Sequence, residues 1–158
     1  SNTPAGCKMN NPDILIIGIG NEYRGDDAAG LLAARKLRKY DLKGIEVIEN
    51  NGDGAELIEK WTGRKKVILI DAVQSGSKPG TIHEFSAPGF ILPSELFKFS
   101  THLFSVPQAI YLSASLGNLP QELTIYGIEA SSFESGTKLS AEVEIAVNNI
   151  VHLVSKII

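Results

Sequence analysis

The stretch that decides the fold is Ile14–Gly30, which reads ILIIGIGNEYRGDDAAG. Its first four residues form an unbroken aliphatic run, which is typical of a strand buried on both faces of a parallel sheet. A polar, glycine-rich turn follows the run. From Ala28 to Tyr40, small and aliphatic residues recur along one side of a helix, and cations cluster near its end, where the helix dipole favours them. The stretch therefore predicts a strand, a turn and a helix.

The rest of the chain repeats this alternation of strands and helices. The aliphatic run Val67–Asp71 predicts a second central strand, whereas Ile45–Glu49 and Thr81–Phe85 contain polar residues that suit the edges of a sheet. Only nine residues separate Val67–Asp71 from Thr81–Phe85. Because nine residues are too few for a crossover helix, Thr81–Phe85 is expected to run antiparallel.

The elements combine into one α/β arrangement. The predicted strands are Ile14–Gly18, Ile45–Glu49, Val67–Asp71, Thr81–Phe85 and Leu123–Ile128, and the predicted helices are Ala28–Tyr40, Ala55–Trp61, Phe104–Leu116 and a last helix capped by Ser140. We therefore predict a single-domain α/β fold with a five-stranded, mostly parallel twisted sheet, helices on both faces and one antiparallel strand.

Length and composition describe one ordinary domain. The 158 residues are 43% hydrophobic and 21% charged, which excludes a disordered chain. The formal net charge of −3 gives no general attraction to nucleic acid or to an anionic membrane. The single cysteine, Cys7, excludes an internal disulfide framework and a cysteine-rich zinc site. We expect a soluble, cytoplasmic monomer with a flexible leader at 1–13 and one domain at 14–158.

Candidate functional residues follow the strand ends. Ligands of open α/β sheets bind beyond the carboxyl ends of the strands, where the strand order reverses. The sequence places Asp26 and Asp27 after the first strand, Asp71 at the end of the third, and His102 before the third helix. Taken singly, these residues fit helix capping, a polar strand end and a loop histidine. Taken together, two carboxylates and an imidazole form an open donor set that suits zinc, nickel or iron.

Two other residues leave their roles open at this point. Glu129, at the end of the last strand, fits either a residue that orients a ligand or a cap on the following loop. His83 lies in a predicted edge strand, where a surface or packing role is the simplest explanation.

The same opening stretch also raises dinucleotide binding. The fingerprint needs a glycine three positions after Gly20, and Tyr23 stands there instead. The carboxylates of Asp26 and Asp27 at the predicted helix start would repel a pyrophosphate. The pattern disfavours a nucleotide site, and a flavodoxin-like nucleotide binder is kept only as an alternative.

Four segments, taken in order, resemble the motifs of the [NiFe]-hydrogenase maturation endopeptidases. They are GIGNEYRGDDAAG at Gly18–Gly30, IDA at Ile70–Ala72, STH at Ser100–His102 and GIE at Gly127–Glu129. The resemblance extends from about Ile14 to the C-terminus. It implies a five-stranded sheet between helices and an endopeptidase that removes a C-terminal extension from the nickel-loaded large-subunit precursor of a [NiFe]-hydrogenase.

The resemblance also implies which residues carry the activity. Asp27, Asp71 and His102 match the family's metal-contacting and catalytic positions. In the family they recognise nickel that the substrate precursor carries, and zinc or cadmium could mimic that ion. The implied partner is the [NiFe]-hydrogenase large-subunit precursor.

One segment departs from the family pattern. The family usually has an Asp-Gly-Gly-Thr-like turn after the second strand, and the sequence here is Glu49-Asn50-Asn51-Gly52-Asp53-Gly54. The threonine is absent and Asp53 is added, which is expected to alter contacts with the substrate tail. A non-enzymatic metal-binding or carrier module on the same fold is the alternative function.

Overall fold

The computed structural model describes residues 11–87, 106–134, 136 and 138–158. Its strands are β1 (Ile14–Ile19), β2 (Ile45–Asn50), β3 (Lys66–Val73), β4 (Ile82–Ala87) and β5 (Glu122–Glu129). Its helices are α1 (Ala29–Arg38), α2 (Gly54–Trp61), α3 (Val106–Leu116) and α4 (Ala141–Ile157), and a 3₁₀ turn at Gly25–Ala28 precedes α1.

The five strands form one sheet in the order β2-β1-β3-β5-β4. Neighbouring strands are parallel except for β4, which pairs antiparallel with β5. The prediction of a mostly parallel, five-stranded sheet with one antiparallel strand is confirmed. So is the prediction that the two polar strands, β2 and β4, lie at the edges.

At its carboxyl end, β3 is longer than the strand that the sequence predicts. The predicted strand stopped at Asp71, whereas β3 continues to Val73. The reason is that β5 keeps pairing with it, up to the partners Val73 and Glu129. Backbone pairing continues past a polar side chain because it uses only main-chain groups.

Two hydrophobic layers cover the two faces of the sheet. On one face, α1 and α4 pack on alternate residues of the central strands, including Ile16 and Ile68. On the other face, α2 and α3 pack on the intervening residues, including Ile17 and Leu69. This alternation follows from the two-residue period of a strand.

A polar contact joins the two helices of the second layer. The indole Nε1 of Trp61, in α2, donates a hydrogen bond of 2.9 Å to Oγ of Ser113, in α3. Both residues are fully buried. The hydroxyl therefore satisfies a donor that would otherwise be buried without an acceptor.

Helix starts differ from the sequence expectations in two places. Asp53 caps α2 by accepting hydrogen bonds from the amides of Ala55 and Glu56 at 3.0 and 3.3 Å, so this helix begins earlier than predicted. Ser140 occupies the N-cap position of α4, but its side chain makes no capping bond, so that part of the prediction is wrong. Its hydroxyl is donated instead to Asp26.

The other helix predictions agree closely with the structure. The helix predicted at Phe104–Leu116 is described from Val106 onward, with Pro107 in its first turn as expected. Phe104 lies outside the described residues. No helix in the described ranges combines the length and apolarity that a membrane crossing requires.

Residues at the end of the predicted leader contact the domain. Arg64 Nη1 donates a hydrogen bond of 2.8 Å to the carbonyl of Pro12. The carbonyl of Asp13 accepts hydrogen bonds from the amides of Lys65 and Lys66 at 2.9 and 3.0 Å. The backbone is thus held two residues before β1 begins.

Candidate functional site

The carboxyl ends of β1 and β3 form the switch point of the sheet. The chain leaves β1 through α1 to reach β2 on one side, and it returns through α2 to β3 on the other side. Since α1 and α2 pack on opposite faces, the two connections diverge at this point. A switch point at the carboxyl ends is where open α/β sheets bind their ligands.

Both predicted aspartates of the site lie at this end of the sheet. Asp27 is in the 3₁₀ turn that follows β1. Asp71 comes directly after Ile70, the last residue of β3 that pairs with β1. Their exposed fractions are 1% and 3%, so two carboxylates from different elements are buried at one edge.

The position of Asp27 depends on close packing by glycines. A Cβ on Gly20 would overlap the carbonyl oxygen of Asp27, and a Cβ on Gly30 would overlap the carbonyl of Ile70. The amide of Asn21 also donates a hydrogen bond of 3.2 Å to that Asp27 carbonyl. These glycines let the 3₁₀ turn and α1 lie directly against the ends of β1 and β3.

The guanidinium of Arg24 lies close to the Asp27 carboxylate. Its Nη1 lies 3.9 Å from Asp27 Oδ2. The guanidinium also lies over the ring of Phe133, 5.7 Å from the centroid. Because about half of the Arg24 side chain is exposed, solvent screens this ion pair on one side.

Asp26 and Asp27 make different contacts despite being adjacent. Asp26 Oδ2 accepts hydrogen bonds from the amides of Ser131 and Ser132 at 2.7 and 3.1 Å. Asp26 Oδ1 accepts one of 2.8 Å from the amide of Ser140. The cap positions before the 3₁₀ turn and α1 are Arg24 and Ala28. The helix-capping explanation of the acidic pair is therefore wrong: Asp26 holds the segment between β5 and α4.

Asp71 faces the second hydrophobic layer. By the alternation along β3 it shares a face with Val67 and Leu69, which α2 and α3 cover. Its partner in β5 is Gly127. The third predicted residue, His102, lies outside the described residues, so its part in the site stays a prediction. Within the described ranges, no three His, Cys, Asp or Glu side chains form a metal-binding group.

Glu129 binds two segments beside the end of β3. Its Oε2 accepts a hydrogen bond of 2.8 Å from the amide of Ser75, and its Oε1 lies 3.1 Å from His83 Nε2. Burial of the carboxylate alone would raise its pKa, but the bonds from Ser75 and His83 outweigh burial and leave the pKa below its usual value. The sequence offered no pattern for this contact, since Ser75 and Glu129 are 54 positions apart.

A cavity of about 670 Å³ opens beside the site, over the ends of β1 and β2. Its wall includes Arg35, whose guanidinium donates to both Glu49 and Glu22. The hydrogen bond from Arg35 lowers the pKa of Glu49, and the same bond raises the pKa of Arg35. The lining residues are Gly20, Asn21, Glu22, Tyr23, Leu31, Arg35, Glu49, Asn50, Asn51, Asp53 and Glu56.

The turn that departs from the family pattern forms part of this wall. Asn50 Oδ1 accepts a hydrogen bond of 2.7 Å from the amide of Gly52, and Asn51 Oδ1 accepts one of 3.2 Å from Asp53. In both turns the asparagine side chain accepts a hydrogen bond from the backbone amide two residues further on, as is typical of Asx turns. The added Asp53 is the cap of α2, so it has a clear structural role.

The fold and this edge define a class of protein. It is an open α/β protein whose switch point carries buried carboxylates in place of a phosphate-binding glycine loop. Comparison with known proteins gives the particular family.

The sequence matches the family described as hydrogenase maturation protease, HycI, over residues 32–157. A Methanocaldococcus jannaschii protein, provisionally assigned as a hydrogenase maturation protease, is 32% identical over 152 residues, covering 92% of this chain and 96% of that protein. The hydrogenase maturating endopeptidase HybD from Escherichia coli has a TM-score of 0.76 at 26% identity, covering 89% of this chain and 88% of its own. The [NiFe] hydrogenase maturation protease HybD from Thermococcus kodakarensis has a TM-score of 0.72 at 30% identity, covering 91% and 97%.

The chain therefore belongs to the hydrogenase maturation protease family, and it is a peptidase. The predicted family, fold and enzyme class are confirmed. The alternatives of a nucleotide binder and a non-enzymatic metal carrier are set aside.

Proposed function

We propose that this peptidase removes the C-terminal extension of a [NiFe]-hydrogenase large-subunit precursor after that precursor has received nickel. The observation that carries the proposal is the burial of two carboxylates, Asp27 and Asp71, at the switch point of the sheet. Family membership supplies the reaction class, and the carboxylates supply a means of recognising a cation. His102 enters the proposal from the sequence alone.

The chemistry of the donors suits this substrate. Aspartate oxygens and a neutral imidazole nitrogen bind borderline divalent cations such as nickel. In the precursor the nickel is cargo that the substrate itself holds, so the enzyme needs only to complete an open coordination shell. Asp27 and Asp71 would then hold the substrate's metal and fix the nearby peptide bond relative to the enzyme.

Burial strengthens this recognition. Carboxylates that are 1% and 3% exposed have lost most of their contact with bulk water. An approaching cation therefore meets a less screened negative charge than it would at the surface. The metal can contribute by polarising the peptide carbonyl or by activating a water, and both are compatible with this donor set.

The proposal is tested by mixing the purified protein with large-subunit precursor in nickel-loaded and nickel-free forms. We expect mass spectrometry to show loss of one C-terminal peptide from the nickel-loaded form only. Equal cleavage of both forms would remove the metal from the recognition step. Absence of cleavage from a nickel-loaded cognate precursor would contradict the proposed substrate.

A further inference from the structure

A buried carboxylate outside the predicted trio joins three strand ends. The Glu129 side chain is 2% exposed and lies at the end of β5. Ser75 donates to it twice, from its amide at 2.8 Å and from its hydroxyl through a short hydrogen bond. His83, at the start of β4, contributes its Nε2 at 3.1 Å. We call Ser75, His83 and Glu129 the Glu129 clamp.

The clamp holds the part of β3 that carries Asp71. Pairing between β1 and β3 ends at Ile70, whereas pairing between β3 and β5 continues through Val73. In the described sheet, Asp71 and the two residues after it thus have a strand partner on one side only. Ser75 is four positions beyond Asp71. The Glu129 carboxylate therefore fixes the chain just after the three residues that pair with β5 alone.

Main-chain bonds make the same connection. The amide of Ala130 donates to the carbonyl of Val73 at 2.9 Å. Glu129 exchanges two further bonds with the loop before β4: its amide donates to Thr81, and its carbonyl accepts from Gly80, both at 2.8 Å. Main-chain and side-chain hydrogen bonds thus both join the end of β5 to the connection between β3 and β4.

The clamp and Asp71 also share one face of the sheet. Asp71 pairs with Gly127, and Gly127 pairs with His83, so the three form one row across β3, β5 and β4. Gly127 leaves room for Val73, whose Cγ1 would be 2.8 Å from a Cβ at that position. The Val73 side chain thus packs against Gly127, the middle residue of the row that joins Asp71 to His83 of the clamp.

The clamp does not have the geometry of a nucleophilic relay. In a serine–histidine–acid triad, one ring nitrogen faces the serine and the other faces the acid. Here His83 Nε2 lies 3.5 Å from Ser75 Oγ and 3.1 Å from Glu129, and the Ser75 hydroxyl is donated to the carboxylate itself. A positioning role fits these contacts, and a catalytic serine does not.

We propose that Glu129 is a positioning residue for Asp71: through Ser75 and His83 it fixes the carboxyl end of β3, and so the approach of Asp71 to the substrate. The proposal rests on the proposed function, because Asp71 must contact the substrate for its position to matter. A shift of about 1 Å in a group that aligns a reacting bond lowers the rate far more than it weakens binding of the whole protein partner.

The test measures kcat and KM for cleavage of nickel-loaded precursor, together with the unfolding midpoint. Glu129→Gln replaces one acceptor oxygen by an amide that faces a donor, and we expect kcat to fall about tenfold while KM changes less than about twofold. Ser75→Ala and His83→Ala remove one donor each and should lower kcat severalfold. His83→Gln keeps a donor and should restore most of the rate lost in His83→Ala.

The matched control is Glu46→Gln. Glu46 also accepts a hydrogen bond from a buried partner, Arg64 at 2.6 Å, but at the opposite end of the sheet. We expect it to lower the unfolding midpoint and leave kcat unchanged. The proposal is overturned if Glu129→Gln keeps the wild-type kcat, or if the loss in kcat merely follows the loss of stability across all variants. Should Glu129→Gln fail to fold, Ser75→Ala and the two His83 variants decide the matter.

Failure of this inference is distinguishable from failure of the proposed function. If Asp71→Asn abolishes cleavage while the clamp variants cleave normally, only the positioning role is wrong. If Asp71→Asn itself cleaves normally, Asp71 does not contact the substrate, and both its positioning by Glu129 and its part in recognising the metal are overturned. Absence of cleavage of nickel-loaded precursor by the wild-type protein is the separate result that overturns the proposed function.

Discussion

Asp26 Oδ1 accepts hydrogen bonds from both the amide and the hydroxyl of Ser140, 114 positions further along the chain. One carboxylate thereby joins the turn after β1 to the first residue before α4. Asp27, the next residue, makes none of these bonds in the described contacts. Asp26 therefore stabilises this edge of the sheet, and the proposed contact with the substrate's metal is assigned to Asp27.

We expect Asp26→Asn to destabilise the fold. The amide that replaces one carboxylate oxygen cannot accept the bonds from Ser131, Ser132 and Ser140 together, and each buried donor left without an acceptor costs about 1–3 kcal/mol. The measurement is the free energy of urea unfolding at neutral pH. Asp27→Asn is the comparison, with a smaller expected loss, because the ion pair that Asp27 makes with Arg24 is long and half-exposed. Equal losses for the two variants would contradict the division of roles.

We expect Gly30→Ala to be costlier than a glycine substitution elsewhere. A Cβ at Gly30 would overlap the carbonyl oxygens of Ile70 and Ile19, and neither backbone segment can move freely. Overpacking of this kind costs about 1–3 kcal/mol or more. Gly44→Ala is the control, because Gly44 has a φ of +72° and nothing within 4 Å, so it reports backbone strain alone. A larger loss of unfolding free energy for Gly44→Ala would contradict the close packing.

We expect Ser113→Ala to destabilise the contact between α2 and α3. The substitution leaves the Trp61 indole N–H buried without its acceptor, which costs about 1–3 kcal/mol. Ser115→Ala on the same helix is the matched control, since Ser115 is exposed and its hydroxyl only returns to the carbonyl of Tyr111. Urea unfolding of the two variants should differ clearly. Similar midpoints would mean that the indole finds another partner.

We expect the free energy of unfolding to fall at low pH because of two glutamates, Glu49 and Glu129. The pKa values of Glu49 and Glu129 are both lowered from an ordinary value of 4.5. Since the folded state binds these protons less readily than the unfolded chain, the stabilisation is complete above about pH 4.5 and is lost as the pH falls through the folded-state values. Unfolding midpoints measured at about pH 7, 5 and 3.5 should show this loss. The double variant Glu49→Gln, Glu129→Gln should lose less stability between about pH 7 and pH 3.5 than the wild-type protein. An equal loss in the two proteins would contradict the assignment.

The sequence predicted most of the fold because its signals were local. Unbroken aliphatic runs marked β1 and β3 as central, polar interruptions marked the edges, and a nine-residue connection required the antiparallel strand. The same logic placed Asp27 and Asp71 at the carboxyl edge. Strand ends follow polarity only loosely, which explains why β3 continues for two residues past Asp71.

Contacts between distant segments could not be predicted in this way. Nothing in the residues near Asp26 indicates that it binds Ser140, and nothing near Glu129 indicates that it binds Ser75 and His83. The partners lie 54 and 114 positions apart and are brought together by the folded sheet, so periodicity carries no information about them. The contacts of Asp26 and of Glu129 therefore required the structure.

The proposed role of Asp27 and Asp71 is to recognise the metal that the substrate carries. The most direct test of this role is to measure the rate at which Asp27→Asn and Asp71→Asn cleave nickel-loaded precursor. The control is Asp41→Asn, at an exposed position after α1 with a φ of 51°, which asparagine adopts readily. We predict that both site variants fold and lose activity by about 100-fold or more, while Asp41→Asn cleaves at the wild-type rate. Wild-type cleavage by either site variant would contradict the claim.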